Sequence, residues 1–320
     1  MIKTLGVLTS GGDAPGMNAA IRAVTRSALE KGYEVYGIKN GFQGLVYGDF
    51  IKFDRNSVSG ILNRGGTFLG SARLPDFKKE ELQNIAIAQM KKVNMDALVV
   101  IGGDGTYRGG YDLAKKGIKV VGIPATIDND VVGTEYSIGF YTAWNTIVEA
   151  VDKLRDTSAS HHRCSVVEVM GNRCGDLALY SGVCVGAEVI IVPEDDFREE
   201  EVLAKICHLD QVKKGKHAIV VATEKLVDVN KLAKKISEVS TYTGRATILG
   251  HIQRGGSPVP NDRLLATLMG DKAVELLSNG ISGHCVGIVN DEIVSTDIIE
   301  AIDKGKEKKS DLMKIFTRLA

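Results

Sequence analysis

The sequence predicts an α/β protein built on a mainly parallel sheet with helices on both faces. Three observations carry this. Short, continuously apolar runs alternate with longer helical patterns from one end of the chain to the other, the signature of βαβ units whose strands are buried on both faces. Glycine is over-used, at 36 of 320 residues against a usual ~7%, and the excess is clustered. The clusters directly follow apolar runs, where a parallel sheet opens its ligand crevice beyond the carboxyl ends of the strands.

Residues 5–8 read as a buried strand, followed by the turn Ser10-Gly11-Gly12-Asp13. Pro15 is placed as a first helical residue, a helical pattern covers 17–31, and Gly32 supplies the stop. A strand over 34–38 completes the first βαβ unit. The same grammar then recurs. A strand over 97–101 leads into Gly102-Gly103-Asp104-Gly105-Thr106, a helix ending near Gly117, and a strand over 119–123 that stops at Pro124. Further strands are expected at 165–170, 188–192, 218–222, 246–249 and 285–289, with helices between them. The charged stretches 194–201 and 304–309 read as solvated helix faces or caps.

The length allows two α/β domains or one large one. With 40 basic and 40 acidic residues the formal net charge is zero, so neither nucleic acid nor an acidic membrane is expected as the main partner, and any anion site must be local. No run of 18 apolar residues predicts a membrane span. The start of the chain enters a strand pattern without a signal-peptide cleavage region, so a cytoplasmic location is expected. Five cysteines with no CxxC pair read as reduced thiols. The six histidines show no zinc spacing.

Four motifs carry chemistry. Ser10-Gly11-Gly12-Asp13, between a strand and a helix, offers backbone N–H groups to an anion; a plain tight turn would explain its glycines equally well. In Gly102-Gly103-Asp104-Gly105-Thr106, glycine lets the backbone approach a triphosphate. Asp104 there suits Mg²⁺, which needs one or two carboxylates besides phosphate oxygens, or alternatively caps the next helix. Thr126-Ile127-Asp128-Asn129-Asp130 places two carboxylates on a loop, as a general base beside a phosphoryl group requires, although turn chemistry also favours such a run. Finally, His251 and Arg254 in Gly250-His251-Ile252-Gln253-Arg254-Gly255-Gly256-Ser257-Pro258 suit a sugar-phosphate dianion. Arg73, Arg163 and Arg245 fall near expected strand or loop ends.

Together these motifs resemble bacterial ATP-dependent 6-phosphofructokinase. The likeness covers essentially the whole chain, through LTSGGDAPGMNAAIR (8–22), NRGGTFLGSAR (63–73), VVIGGDGT (99–106), TIDND (126–130) and GHIQRGGSP (250–258). It implies two doubly wound, mainly parallel-sheet domains: 1–138 plus 252–301 for ATP, and 139–251 plus 302–320 for the sugar phosphate. It also implies that Gly12, Arg73, Gly103, Asp104, Gly105 and Thr106 bind ATP, that Asp104 holds Mg²⁺, and that Asp128 accepts the proton of the sugar's 1-hydroxyl with Thr126 and Asp130 beside it. Arg163, Met170, Gly171, Asn172, Glu224, Arg245, His251 and Arg254 match fructose 6-phosphate positions. In the family, Arg163 and Arg245 reach in from a neighbouring subunit, which implies a homotetramer.

An effector site for ADP or GDP and for phosphoenolpyruvate is implied at Arg22, Arg26, Arg55, Arg155, Gly186, Glu188, Lys214 and Lys216. Gly60 and Gly215 depart from the family there. Asn172 departs in the active site, standing where the family has arginine and followed by Arg173. Pyrophosphate-dependent relatives typically carry Asp in place of Gly105 and Lys in place of Ala125, so ATP is the expected donor. The alternatives are a pyrophosphate-dependent enzyme and a weakly active regulatory subunit.

Overall fold

The computed structural model describes residues 2–213, 217–303 and 310–319. The chain begins β1 (Thr4–Thr9), α1 (Met17–Glu30), β2 (Glu34–Ile38), α2 (Gly41–Tyr47), β3 (Phe50–Phe53), α3 (Glu80–Lys92), β4 (Ala97–Gly102), α4 (Asp104–Lys115) and β5 (Lys119–Pro124). It continues with α5 (Phe140–Ser160), β6 (Arg163–Val169), α6 (Asp176–Cys184), β7 (Val189–Ile191), α7 (Glu199–Lys213), β8 (His217–Thr223), α8 (Val229–Val239) and β9 (Thr243–Ile248). It closes with α9 (Pro260–Ser278), β10 (His284–Val289), β11 (Glu292–Asp297), α10 (Ile298–Asp303) and α11 (Ser310–Leu319).

Two compact units divide the chain: Met1–Thr142 with Arg254–Lys306, and Ala143–Gln253 with Glu307–Ala320. The first holds a seven-stranded sheet in the order β11-β10-β5-β4-β1-β2-β3. Its central pairings are parallel, and the two edge strands, β3 and β11, are antiparallel. Strands β1 and β4 are buried at every position, because helices cover both faces of the sheet. Strand order reverses between β1 and β4, which makes their carboxyl ends the topological switch point. A core of Leu8, Ile38, Phe42, Leu45, Met90, Leu98 and Val100 fills one face.

The second unit holds a four-stranded parallel sheet, β7-β8-β6-β9. Its core joins β6 and β8 to α7 and α8 through Val166, Val220, Ile206, Leu232 and Ile236. Helix α8 starts on a side-chain cap, Asp228, which accepts hydrogen bonds from the Asn230 and Lys231 N–H groups.

The expected central strands form within a residue or two of their bounds. Three local readings need correction. Helix α1 begins at Met17 with Gly16 as its N-cap, so Pro15 precedes the helix instead of opening it. Glu188 lies outside β7. In the charged stretch 194–201, α7 begins only at Glu199, and Glu194 accepts the Gly175 N–H at 2.8 Å in partial burial. Residues 304–309 lie outside the described part. The edge strands β3 and β11 were not expected. All five cysteines are free thiols. Among the described residues no helix is long and apolar enough to cross a membrane.

Candidate active site

In the first unit, three loops at the switch point are tied together by their own backbone. Ser10 donates its N–H to the Ile101 carbonyl at 3.0 Å, so the turn after β1 continues the pairing with β4. Thr106, in the first turn of α4, donates its hydroxyl to the Ser10 carbonyl at 3.0 Å. Ser71 donates to the Gly11 carbonyl at 2.6 Å. The turn Ser10–Asp13, the start of α4 and the segment leading to Arg73 are thereby brought to one place. Arg73 itself is exposed.

Helix α4 begins at Asp104, with Gly103 as an N-cap that makes no side-chain bond. The alternative reading of Asp104 as the cap is therefore not what forms: Asp104 is the first helical residue. Its carboxylate is half exposed and lies 3.2 Å from Arg108 Nε, one turn on. A Cβ placed on Gly105 would meet no atom within 4 Å. Nothing therefore crowds Gly105 in the first turn of α4, an end of the helix where the dipole favours an anion. Among the described residues no group of three or more His, Cys, Asp or Glu side chains could hold a metal by itself. One half-exposed hard carboxylate at a helix start fits Mg²⁺, which would take its remaining ligands from phosphate and water.

Beyond β5 lies the loop with Thr126, Asp128 and Asp130. Asp128 is 8% exposed. Its N–H donates to Thr126 Oγ1 at 3.2 Å. Arg254 brings Nη2 to 3.9 Å from Asp128 Oδ2 and donates through Nη1 to the Asp13 carbonyl at 3.3 Å. The guanidinium also lies over Gly12, where a Cβ would come within 2.4 Å of Nη1, so any side chain there would push Arg254 away. The first and third motifs therefore meet at Arg254.

In the second unit, Met170, Gly171 and Asn172 follow β6, Glu224 follows β8, and His251 follows β9. Asn172 is exposed, with φ 55°. It donates its N–H to Glu224 Oε1 at 3.0 Å, and its Oδ1 accepts from Lys225 Nζ at 3.3 Å. Gln253, fully buried, accepts the Met170 N–H at 3.1 Å. The sequence assigns no role to Lys225 or Gln253. Gln253 lies inside a recognised motif, whereas nothing local marks Lys225.

Arg163 and Arg245 lie at or near the amino ends of their strands, away from the carboxyl ends that carry Met170, Glu224 and His251. Arg163 is the first residue of β6, paired in register with Thr243, and Arg245 is the third of β9, opposite Ser165. Six strand steps separate Arg163 from Val169, or roughly 20 Å at ~3.3 Å per residue.

The effector candidates fall in both units. Arg22 and Arg26 lie four apart on α1. Burial, and secondly the Arg26 charge, hold the Arg22 guanidinium below its usual range. Arg26 Nε is buried without a hydrogen-bond partner. Arg55 pairs with Glu30 at 3.1 Å on the surface. In the second unit, Arg155 donates to His217 Nε2 at 3.0 Å and to the Val185 carbonyl. Burial, then Arg155, lowers the His217 pKa. Gly186 adopts φ 56°, and Glu188 accepts the Ile219 N–H at 2.7 Å. Lys214 and Lys216 lie outside the described residues.

A family model for phosphofructokinase matches residues 4–277. The chain belongs to the phosphofructokinase family. Phosphofructokinase from Pichia pastoris in the T-state superposes with a TM-score of 0.89 at 33% identity, over 100% of this chain and 36% of the yeast one. The Saccharomyces cerevisiae enzyme gives 0.85 at 33% identity, over 99% of this chain and 46% of that one. This phosphofructokinase-family chain therefore spans between a third and a half of those yeast chains. A pyrophosphate-dependent phosphofructokinase from Marinobacter aquaeolei shares the fold, with a TM-score of 0.85 at 21% identity, over 97% of this chain and 86% of that one.

Proposed function

We propose that the chain transfers the γ-phosphoryl group of Mg-ATP to the 1-hydroxyl of fructose 6-phosphate, giving fructose 1,6-bisphosphate and ADP, the committed step of glycolysis. The observation that carries this reading is the open space at Gly105 beside the start of α4. Small residues at Gly105 and Ala125 leave room for the adenylyl part of ATP, where an acidic and a basic side chain would mark a pyrophosphate enzyme.

In this mechanism Gly12, Arg73 and residues 103–106 hold the donor phosphates. Asp104 would hold Mg²⁺, which offsets charge on the transferring group. Met170, Gly171, Asn172, Glu224, His251 and Arg254 orient the sugar phosphate. Asp128 takes the proton of the 1-hydroxyl as its oxygen bonds to the γ-phosphorus, and the bond to the β–γ bridging oxygen breaks. Thr126 and Asp130 flank the base, and Arg254 places positive charge beside it. Arg163 and Arg245 serve the site of a neighbouring chain. The position of Arg163, roughly 20 Å along β6 from Val169, supports this, since no arginine side chain spans that distance, and Arg245 lies on the neighbouring β9, in register with Ser165 near the same end of β6. The working form is then a cytoplasmic homotetramer.

The test is a coupled assay of fructose 1,6-bisphosphate formation with ATP or pyrophosphate offered separately. Turnover with ATP alone is expected. Turnover with pyrophosphate alone would overturn the donor assignment, and none with either would make the chain a regulatory subunit.

A further inference from the structure

The loop that carries Asp128 is braced by a buried amide. Asn129 is fully buried and its backbone sits in the left-handed region at φ 53°. The chain has already left β5 at Pro124, and a left-handed residue cannot sit in a strand ladder. The Asn129 side chain ties the loop in its place. Its Oδ1 accepts the Ser137 N–H at 2.9 Å, and its Nδ2 donates to the Glu135 carbonyl at 3.0 Å. The Ser137 hydroxyl, itself fully buried, donates to the Thr126 carbonyl at 2.7 Å and lies 3.2 Å from Asn129 Oδ1.

Residues 126 and 129, on either side of Asp128, are thus both tied to Ser137. That anchor is held in turn by the sheet and by α9. Glu135 donates its N–H to the Ile288 carbonyl at 2.8 Å, and Ile138 donates to the Pro124 carbonyl at 3.0 Å. The Ile288 N–H bonds Thr134 Oγ1 at 3.1 Å, and the Gly139 N–H bonds Asp262 at 2.8 Å.

We propose that Asn129 and Ser137 are positioning residues that aim the Asp128 carboxylate at the reacting hydroxyl. The inference rests on Asp128 being the proton acceptor, as proposed above. A glycine at position 129 would satisfy the left-handed turn alone, without burying an amide whose every polar atom must then be satisfied. The full set of bonds is what a fixed direction for the neighbouring carboxylate requires, because a displacement of about 1 Å at a reacting group costs roughly 10²-fold in rate.

A double-mutant cycle tests this. We would measure kcat and KM for fructose 6-phosphate in the wild type, Asp128→Asn, Asn129→Gly, Ser137→Ala and the two doubles with Asp128→Asn. Asn129→Gly and Ser137→Ala should each lower kcat by about 10- to 100-fold with KM nearly unchanged, and Ser137→Thr, which keeps the hydroxyl, should recover part of the loss. In the Asp128→Asn background the same changes should scarcely lower the residual kcat, since the group they aim is gone. Equal losses in both backgrounds, or a change in KM alone, would overturn the proposal. Near-normal kcat in Asp128→Asn alone would instead sink the proton-acceptor reading, and this inference with it. Should Asn129→Gly show no cooperative melting, the Ser137→Ala cycle carries the same decision.

Discussion

Asn172 is exposed and held mainly through its backbone. Its N–H is bonded to Glu224 Oε1 at 3.0 Å, and its φ of 55° is one that asparagine adopts more readily than other L-residues. Where the family places an arginine, this chain has a neutral side chain whose Oδ1 is met by Lys225 Nζ. An arginine clamp stabilises charge that develops in the transition state. Asn172→Arg should therefore raise kcat/KM by about tenfold, while lowering stability by roughly 1 kcal/mol through the left-handed backbone. Steady-state kinetics and a melting curve on the same preparation check both. A large loss of kcat/KM would mean that Asn172 and Lys225 form a working pair that arginine disrupts. None of this geometry was visible in the sequence, since the departure from the family motif is legible but the partner Lys225, 53 positions away, is brought close only by the pairing of β6 with β8.

At the scale of elements, helix α5 is capped from outside. Asp262, in the first turn of α9, is fully buried and accepts the N–H groups of Gly139 and Thr142 at 2.8 Å each, and the Thr142 hydroxyl at 2.6 Å. Burial pushes its carboxyl up to about 6, against the pull of those bonds. An unfolded aspartate titrates near ~3.9. The folded protein thus holds the Asp262 proton more tightly than the unfolded chain between those two values. This contribution to stability is complete below about pH 4 and is lost as pH rises through about 6. Subtracting urea midpoints of Asp262→Asn from those of the wild type should give a difference that falls between pH 4 and 6 and is flat above. A difference that rises over that window would contradict the direction of the shift.

Elements of this kind divide by how their residues are buried. Strands β1 and β4 were legible because burial on both faces demands an unbroken apolar run. The edge strands could not be recognised that way. Phe50–Phe53 and Glu292–Asp297 are part-exposed and antiparallel, so they carry no such run. Glycine clusters were legible as strand-end turns. The brace from Asn129 to Ser137 was not, because TIDND reads equally well as turn chemistry and its partner segment shows no pattern. Pro15 misled for a similar reason: the chain makes a glycine turn at Gly16, with φ 105°, before α1 starts.

For the whole molecule, regulation and catalysis make separate demands. The first unit places two like charges, both partly exposed, four residues apart on one helix face at Arg22 and Arg26, an arrangement that a bound phosphate would relieve. We expect ADP and phosphoenolpyruvate to bind, more weakly than a full cation set would allow, by roughly 1–3 kcal/mol for one missing cation. Both should shift the fructose 6-phosphate saturation curve at sub-saturating substrate. Arg155→Ala, which removes the guanidinium bonded to His217, should abolish the shifts. If neither effector moves the curve in the unmodified protein and neither binds directly, the effector reading falls.

Direct observation of the phosphoryl transfer decides between these readings. Phosphorus NMR of the protein mixed with magnesium, ATP and fructose 6-phosphate follows it without coupling enzymes. The γ-phosphorus resonance of ATP should disappear in step with the appearance of a second sugar phosphate at position 1 and an equal amount of ADP. Release of free phosphate in place of the bisphosphate, or transfer to the sugar from pyrophosphate but not from ATP, would contradict the account.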